Sequence, residues 1–351
     1  MRRLTRTLSL LSLAVPMAGC ASGGGSPSDT LKIGAYSVVR EVFHDALIPA
    51  FKARWKSQTG RDVQFEESYN ASGAQARSIA SGFDADLTVL SHTSDMEVLV
   101  AAGKVKPGWD SGPTHGILTH SLVAIGHRPG NPKQIHDWAD LGKSGVGVLY
   151  PDPKTSGGAR WNINAIYGAA LLASRGAGGG QGDLGAIRDL MARIQGNVVN
   201  MDPSGRQSMA NFSQRHTGDA VITYENELLF HNKVHNKEGE PIPYVIPAST
   251  LLIESPAAIV ESGVERHHNR ALAEAFLAFL LSPEGQRIFA DYGFRPVDPQ
   301  VKVSEDSKFA TPGKIFTMAD LGGWAKVEEV LYGPKGLWTE IAAERSKARE
   351  R

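Results

Sequence analysis

Short runs of β-forming residues alternate with helical patterns along most of this 351-residue chain. Strands are predicted at residues 31–36, 63–67, 86–90, 121–127, 145–150, 220–224, 243–247 and 257–260. Helices are predicted at 38–55, 73–81, 159–174 and 271–281, with a more polar surface helix near the C-terminus. This alternation indicates an α/β fold with mostly parallel sheets, and the length favours two domains.

The first twenty residues have the pattern of an export signal. Arg2, Arg3 and Arg6 precede an apolar run at 8–15 that is too short to span a bilayer. Small residues then lead to Cys20, the only cysteine in the chain, in a pattern that resembles the lipobox of bacterial lipoproteins. The resemblance implies a lipoprotein signal peptide at 1–19, lipidation of Cys20 and a membrane anchor. Residues 20–30 are small and polar enough to form a flexible tether.

The charge of the exported part argues against a nucleic-acid partner. The chain has 37 basic and 37 acidic residues, and removing the three signal arginines leaves 34 against 37, a net charge of −3. Such a body can still bind an anion if local dipoles build the site. With Cys20 lipidated, no thiol remains for a disulfide, so the core alone must stabilise the fold.

Several strand-to-helix junctions place serine or glycine where a helix begins. Helix starts expose unpaired amide N–H groups and partial positive charge, so several of them together can bind an anion without a formal cation. The candidate positions are Ser37, Ser72 (with Gln75 three residues later, the spacing of a capping box), Ser156, Gly157, Gly158 and Gly205, with Tyr224 as a side-chain donor at a strand end. Each serine alone is explained by ordinary capping. Four such junctions in one chain favour a shared site.

Two other kinds of site are less well supported by the sequence. Gly180, Gly182 and Gly185 have the spacing of a dinucleotide fingerprint, but a helix precedes them where that motif needs a strand, which favours a flexible linker. His231 and His235 have metal-ligand spacing on a helix, but a third ligand cannot be named, which favours surface histidines. The chain has no nucleophile elbow of the Gly-x-Ser-x-Gly type. We therefore expect that the protein is not an enzyme and binds no cofactor or metal. The alternative function is that of a secreted hydrolase.

Longer motifs give the chain a resemblance to a known family. They lie at residues 51–60, 72–76, 130–138, 156–162, 218–227, 282–286 and 322–324. Over residues 31–338 the chain resembles the periplasmic sulfate- and thiosulfate-binding proteins of ABC transporters, which have the type II periplasmic-binding-protein fold. The resemblance implies two doubly wound α/β domains joined by crossing strands, with the ligand in the interdomain cleft. Domain I would be 31–116 plus 249–351, and domain II would be 117–248.

The resemblance also assigns roles to the candidate residues. It implies anion contacts from the backbone amides of Ser37, Ser72, Gly157, Gly158 and Gly205, and from the hydroxyl of Ser156. Tyr224 stands where the family has a tryptophan, and Ser37 where the family commonly has an aspartate. The implied partners are sulfate or thiosulfate, an ABC permease and its ATPase subunit, and the membrane through the lipid anchor. The protein would act as a monomer, in the periplasm or at the cell surface.

The ligand can be narrowed by the hydrogen-bonding groups expected in the cleft. Fully ionised sulfate only accepts hydrogen bonds, whereas phosphate near neutral pH keeps a proton and needs a buried acceptor. The expected contacts are mostly donors. Asp202 and Glu225 lie near two junctions, where structural capping is favoured because an uncompensated carboxylate beside a buried dianion is costly. Arg160 and Arg206 are expected in supporting roles. Sulfate is therefore preferred, with molybdate, tungstate and phosphate as alternatives.

Overall fold

The computed structural model describes residues 29–175, 182–235, 241–302 and 309–349. The expected signal peptide, Cys20 and most of the tether lie outside these residues, as does most of the glycine-rich stretch between the helices that end at Arg175 and begin at Leu184. None of the helices in the described ranges combines the length and the apolar character that crossing a membrane requires.

Ten strands and thirteen α-helices are found in the described residues, together with short 3₁₀ and π-helical segments. The strands are β1 (Thr30–Tyr36), β2 (Gln64–Asn70), β3 (Leu87–Val89), β4 (Ile117–His127), β5 (Val148–Pro151), β6 (Val198–Asp202), β7 (Ala220–Tyr224), β8 (Tyr244–Val245), β9 (Ser249–Ile259) and β10 (Lys314–Phe316). The helices are α1 (Arg40–Val42), α2 (Ile48–Thr59), α3 (Ser72–Ala80), α4 (Thr93–Ala101), α5 (Gly157–Arg175), α6 (Leu184–Asn197), α7 (Gly205–Ser213), α8 (Glu225–His235), α9 (Glu261–His267), α10 (Arg270–Leu281), α11 (Pro283–Asp291), α12 (Gly323–Val327) and α13 (Leu337–Arg349). The 3₁₀ turns are Ser37–Val39, Trp138–Gly142 and Ala319–Leu321, and the π-helical segments are Phe43–Leu47 and Glu328–Tyr332.

The strands form two parallel groups joined by two long strands. The order is β2-β1-β3-β9-β4-β7-β5-β6, with β8 on β4 and β10 on β9. Strands β1, β2 and β3 are mutually parallel, as are β5, β6 and β7. Both β4 and β9 have eleven residues and pair antiparallel with each other, while β9 also pairs with β3 of the first group and β4 with β7 of the second. We call the part around β1–β3 the first lobe and the part around β5–β7 the second lobe. The predicted α/β fold with crossing strands is confirmed, although the crossing strands themselves are antiparallel.

Aromatic packing stabilises the first lobe behind the helix that follows β1. The Phe51 ring lies 4.9 Å from that of Phe276, and the Phe43 ring lies 6.1 Å from the same ring, both edge-on. Phe43, Phe51 and Phe276 are almost fully buried. Rings in this arrangement add about 1 kcal/mol per pair beyond the area that they bury. This packing fixes the helix against α10 and so fixes the position of Ser37 at its start.

The C-terminal segment packs on the second lobe. Helix α13 lies against α6, where Arg188 forms an ion pair with Glu344 at 2.6 Å. A side chain on Gly168 of α5 would meet the ring of Phe316 in β10 at 2.3 Å, which shows how closely that strand approaches α5. We therefore propose that residues 309–349 belong to the second lobe, in place of the expected domain I. The other predicted boundaries, at 116/117 and 248/249, stay predictions.

Candidate functional site

One small cavity lies between the lobes, where several helices begin. Of the seven candidate residues, six line it: Ser37, Ser72, Ser156, Gly158, Gly205 and Tyr224. The space open to the centre of a water-sized sphere is about 10 Å³. That is on the order of one such sphere, which suits a compact ion and excludes a sugar or a peptide.

The cavity is lined by the first residues of helical segments from both lobes. In the first lobe, Ser37 begins the 3₁₀ turn after β1 and Ser72 begins α3. In the second lobe, Gly205 begins α7, and α5 begins at Gly157 and is followed directly by Gly158. The first amide N–H groups of a helix have no partner within it and carry partial positive charge. Four helix starts that converge on one small cavity therefore make a donor-rich site for an anion.

Ser72 has a different role from the one that the capping-box spacing predicts. It lies inside α3, whose N-cap is Ala71, and its Oγ donates to Oδ2 of Asp95 at 2.6 Å. The same Oγ accepts from the amide N–H of Ser91 at 2.8 Å. Gln75 instead pairs with Asn70. The capping-box prediction is wrong, because the Ser72 hydroxyl ties α3 to the loop after β3 and to α4.

The two adjacent glycines have different neighbours. A Cβ on Gly157 would lie 2.7 Å from the side chain of Ser91 and 2.9 Å from the ring of His92, both in the first lobe. A Cβ on Gly158 would meet Oγ of Ser156 and the ring of Tyr224 at 3.4 Å. Gly157 is therefore required for close approach of the lobes. Gly158 faces the cavity itself, among the proposed donors.

A chain of hydrogen bonds orients the Tyr224 hydroxyl. Oγ of Ser91 lies 2.6 Å from Oη of Tyr224, and Nε1 of Trp161 donates to the same Oγ at 3.1 Å and to the Ser91 carbonyl at 2.9 Å. An indole N–H can only donate, so it occupies an acceptor position of Ser91 and favours donation from Ser91 to Tyr224. The Tyr224 proton is then free to point into the cavity. Burial also raises the pKa of Tyr224 well above its ordinary value, so the hydroxyl stays protonated.

Ser91 and Trp161 were not singled out by sequence reasoning as residues of the site. Trp161 lies within the motif at 156–162, but Ser91 follows β3 with no cap or glycine pattern to mark it. The available signal was a small polar residue directly after an apolar strand, at the edge of the sheet where the other junctions meet.

One acid also lines the cavity, which the expectation of a mostly donor-lined site did not include. Glu227 is 4% exposed, and its Oε2 accepts from Thr223 at 2.6 Å. Its Oε1 has no hydrogen-bond partner, and the nearest cation is Nε of Arg206 at 3.9 Å. Burial raises the pKa of Glu227, an effect that Arg206 and Thr223 oppose only in part. Glu227 lies in the motif at 218–227, four residues after Thr223, but that pattern does not show that one of its oxygens is buried without a partner.

The two arginines near the helix starts lie outside the cavity lining. Arg206 pairs with Glu41 of the first lobe at 2.6 Å. Arg160 pairs with Glu328, and its guanidinium lies 4.4 Å from the centre of the Tyr332 ring. The predicted supporting role fits these contacts. The described residues that line the cavity include no lysine or arginine.

Asp202 and Glu225 have structural contacts, as favoured from the sequence. Asp202 accepts hydrogen bonds from Ser208 at 2.9 Å and from Asn211 at 2.6 Å, both in α7. Glu225 forms a two-bond ion pair with Arg295, at 2.6 and 2.9 Å. Neither carboxylate lines the cavity.

The predicted helical spacing of His231 and His235 is present, since both lie in α8. Across the described ranges, no cluster of three or more His, Cys, Asp or Glu side chains has the arrangement to hold a metal ion.

The chain is similar to several known proteins. Residues 31–295 match the family model described as bacterial extracellular solute-binding protein. The chain is 37% identical over 327 residues to a sulfate-binding protein of Synechococcus elongatus, covering 92% of this chain and 89% of the relative. It is 34% identical over 313 residues to a thiosulfate-binding protein of Escherichia coli, covering 88% and 90%. The solved structure of the sulfate-binding protein SubI from Mycobacterium tuberculosis is 38% identical, with a TM-score of 0.75 and coverage of 86% of this chain and 99% of that one.

Proposed function

Because the chain belongs to the bacterial extracellular solute-binding proteins, we propose that it captures sulfate in the cavity between its lobes, with thiosulfate as a second ligand. The observation that carries this proposal is the convergence of four helix starts, the Ser156 hydroxyl and the Tyr224 hydroxyl on one small cavity whose described lining includes no cation. A fully ionised tetrahedral oxyanion fits such donors, and the names of the similar proteins agree with that ligand.

The proposed contacts are those expected from the sequence. The amides of Ser37 and Ser72 would donate from the first lobe. The amide of Gly205 and the start of α5, with Gly157, Gly158 and the Ser156 hydroxyl, would donate from the second lobe. Partial charges at helix starts replace a formal counter-ion. Because donors come from both lobes, the ligand would hold the lobes together. A transporter could then distinguish the closed, ligand-bound protein from the open one.

The ligand test is calorimetric titration of the body from about residue 26 onward with sulfate, thiosulfate, phosphate and molybdate at one pH and ionic strength. We expect one-to-one sulfate binding that is tighter than phosphate binding. Each unsatisfied group in a wrong complex costs about 1–3 kcal/mol, so several together separate the ligands by orders of magnitude. Tighter binding of phosphate or molybdate than of sulfate would contradict the proposal.

We further propose that the protein is a lipoprotein of the periplasm or cell surface that delivers its ligand, as a monomer, to an ABC permease and its ATPase. The support is the basic, apolar and small-residue order that ends in Cys20, and the extracellular character of the family. In cell fractionation, the Cys20→Ala variant should no longer be found in the membrane fraction. The control variant Gly196→Ala, which keeps Cys20, should remain there. Membrane retention of Cys20→Ala would reject the anchor.

A further inference from the structure

Glu227 is the only acid among the described residues that line the cavity. Its contacts leave one oxygen available: Oε2 accepts from Thr223, whereas Oε1 is buried and has no hydrogen-bond partner. Gly205, a proposed anion donor, lies close by, since a Cβ on it would be 3.5 Å from Oε2. A proton on this carboxyl would therefore sit on Oε1, because Oε2 already accepts.

The positive charge near Glu227 is too small to neutralise both its carboxylate and a bound anion. From α7, Arg206 is shared between Glu227 and Glu41, the latter from α1. The hydroxyls of Tyr36 on β1 and Tyr224 on β7 also face it, both buried and neutral. Glu227 also lines a wider pocket with His127, Arg128, His216 and His231, where the Arg128 guanidinium is bound to backbone carbonyls of the second lobe. With both glutamates ionised, Arg206, Glu41 and Glu227 together carry a net negative charge beside the cavity. A dianion placed there would be repelled.

We propose that Glu227, which lines the cavity, takes up a proton when a fully ionised anion binds there. This inference rests on the proposed function, since it requires a dianion in the cavity. The protonated carboxyl has no charge to repel the anion. The proton comes from solvent and stays on the glutamate for as long as the anion is bound, so no covalent bond to the ligand forms or breaks.

The linkage relation gives the sign of the effect. A bound dianion favours the protonated carboxyl, so the pKa of Glu227 is higher in the complex than in the free protein. Between these two pKa values the complex holds one more proton than the free protein, and sulfate affinity falls by up to about tenfold per pH unit as the pH rises. Below both values and above both values, the affinity is independent of this group.

The test is calorimetry of the lipid-free body with sulfate from pH 5 to 9. Each pH is measured in two buffers of different ionisation enthalpy, which gives the number of protons taken up per sulfate. We expect wild type to show uptake that approaches one proton in part of this range. Glu227→Gln keeps an acceptor for Thr223 and cannot titrate, so it should bind sulfate with lower proton uptake and a flatter pH profile. Glu254→Gln is the matched control, because burial also raises the pKa of Glu254 and this residue does not line the cavity.

The outcomes separate this inference from the proposed function. Sulfate binding by wild type with no proton uptake at any pH overturns the role of Glu227 and leaves the sulfate site intact. The role of Glu227 is likewise overturned if Glu227→Gln takes up as many protons as wild type. If wild type binds no sulfate at any pH, the proposed function fails, and the inference fails with it.

Discussion

At the scale of single residues, the candidate site depends on how much space each position leaves. Gly157 allows the second lobe to approach Ser91 and His92, and a methyl group there would overlap atoms of both. Gly158 has more room, because its nearest neighbours would be at ordinary contact distance. From the sequence, Gly157 and Gly158 are equivalent. In the structure their surroundings make them different.

Gly157→Ala should therefore weaken sulfate binding more than Gly158→Ala. We expect a loss of at least tenfold for Gly157→Ala, since the first lobe must move away from a methyl group at 2.7 Å. Gly196→Ala is the control, because α6 leaves open space at that position. Calorimetry of the three variants checks this, and equal affinities at positions 157 and 196 would show that closure does not bring α5 against Ser91.

The hydrogen-bond chain from Trp161 through Ser91 to Tyr224 makes a second prediction at this scale. Tyr224→Phe removes a donor to a charged ligand and should cost roughly 1.5–3 kcal/mol of sulfate binding. Ser91→Ala should cost less, because it only leaves the hydroxyl of Tyr224 unoriented. In the Tyr224→Phe background, Ser91→Ala should have little further effect. As a single substitution, Ser91→Thr keeps the hydroxyl and should bind sulfate more tightly than Ser91→Ala does. Additive losses in this double-mutant cycle would argue that Ser91 acts independently of Tyr224.

At the scale of elements, hydrogen bonds between junctions hold the helix starts in position. The β5–α5 and β6–α7 connections are joined by the amide of Asp152, which donates to the Asp202 carbonyl at 2.7 Å. The Thr155 hydroxyl donates to the Pro203 carbonyl at 2.9 Å. These bonds make two of the anion-facing helix starts a single unit. A ligand that binds one of them therefore meets the other in a fixed position.

Helices α9 and α10 are joined by an ion cluster that should make stability depend on pH. Burial by itself raises the pKa of Glu261, but hydrogen bonds from Arg270 and Lys106 outweigh it and hold the pKa below its ordinary value. A carboxyl with a lowered folded-state pKa stabilises the fold above its unfolded pKa, and the gain is lost as the pH falls through the folded value.

Glu261→Gln should accordingly lower the free energy of unfolding by about 1 kcal/mol at pH 7, with a difference that shrinks once the pH falls below the ordinary glutamate value of 4.5. Urea denaturation at a series of pH values measures this. Glu340→Gln, at an exposed position of α13, should show no such dependence. A difference between Glu261→Gln and wild type that persists unchanged to pH 3 would show that the ion cluster is not its source.

At the scale of the whole molecule, one set of contacts between the lobes lies around the loop after β3. The ring of Trp324, in the C-terminal segment, stacks on His92 at 4.5 Å and meets Trp161 edge-on at 4.9 Å. These contacts and the Ser91 hydrogen bonds join residues on opposite sides of the cavity. Separation of the lobes would expose both tryptophans, so closure should have an optical signal.

Sulfate should therefore change the tryptophan fluorescence of the body and reduce its radius of gyration in X-ray scattering. Trp324→Phe should lose much of the fluorescence change while keeping the change in scattering. Trp109→Phe is the control, because Trp109 does not line the cavity and packs against an apolar cluster of the first lobe that includes Leu90, Met96 and Leu99. Calorimetric binding that is accompanied by no change in scattering would mean that the lobes do not close on the ligand.

Local sequence determined the fold class and the positions of the helix starts. The strand at 220–224 and the junctions at Ser37, Ser156 and Gly205 follow from apolar runs that end at small polar residues, and such patterns act within a few residues. The same reasoning named six residues that line the cavity. It gave the wrong role to the Ser72 hydroxyl, since the partner of that hydroxyl, Asp95, lies 23 residues away and no local pattern marks it.

Tertiary structure alone decided how these positions meet. Ser91 and Tyr224 are 133 residues apart in the chain and share a 2.6 Å hydrogen bond, and the contact of Trp161 with Ser91 spans 70 residues. The unpaired oxygen of Glu227 and the packing of the C-terminal segment on the second lobe likewise depend on distant partners. Helix and strand patterns are local, whereas burial, unpaired groups and close approach are properties of the folded chain, so the donors could be predicted and the acid among them could not.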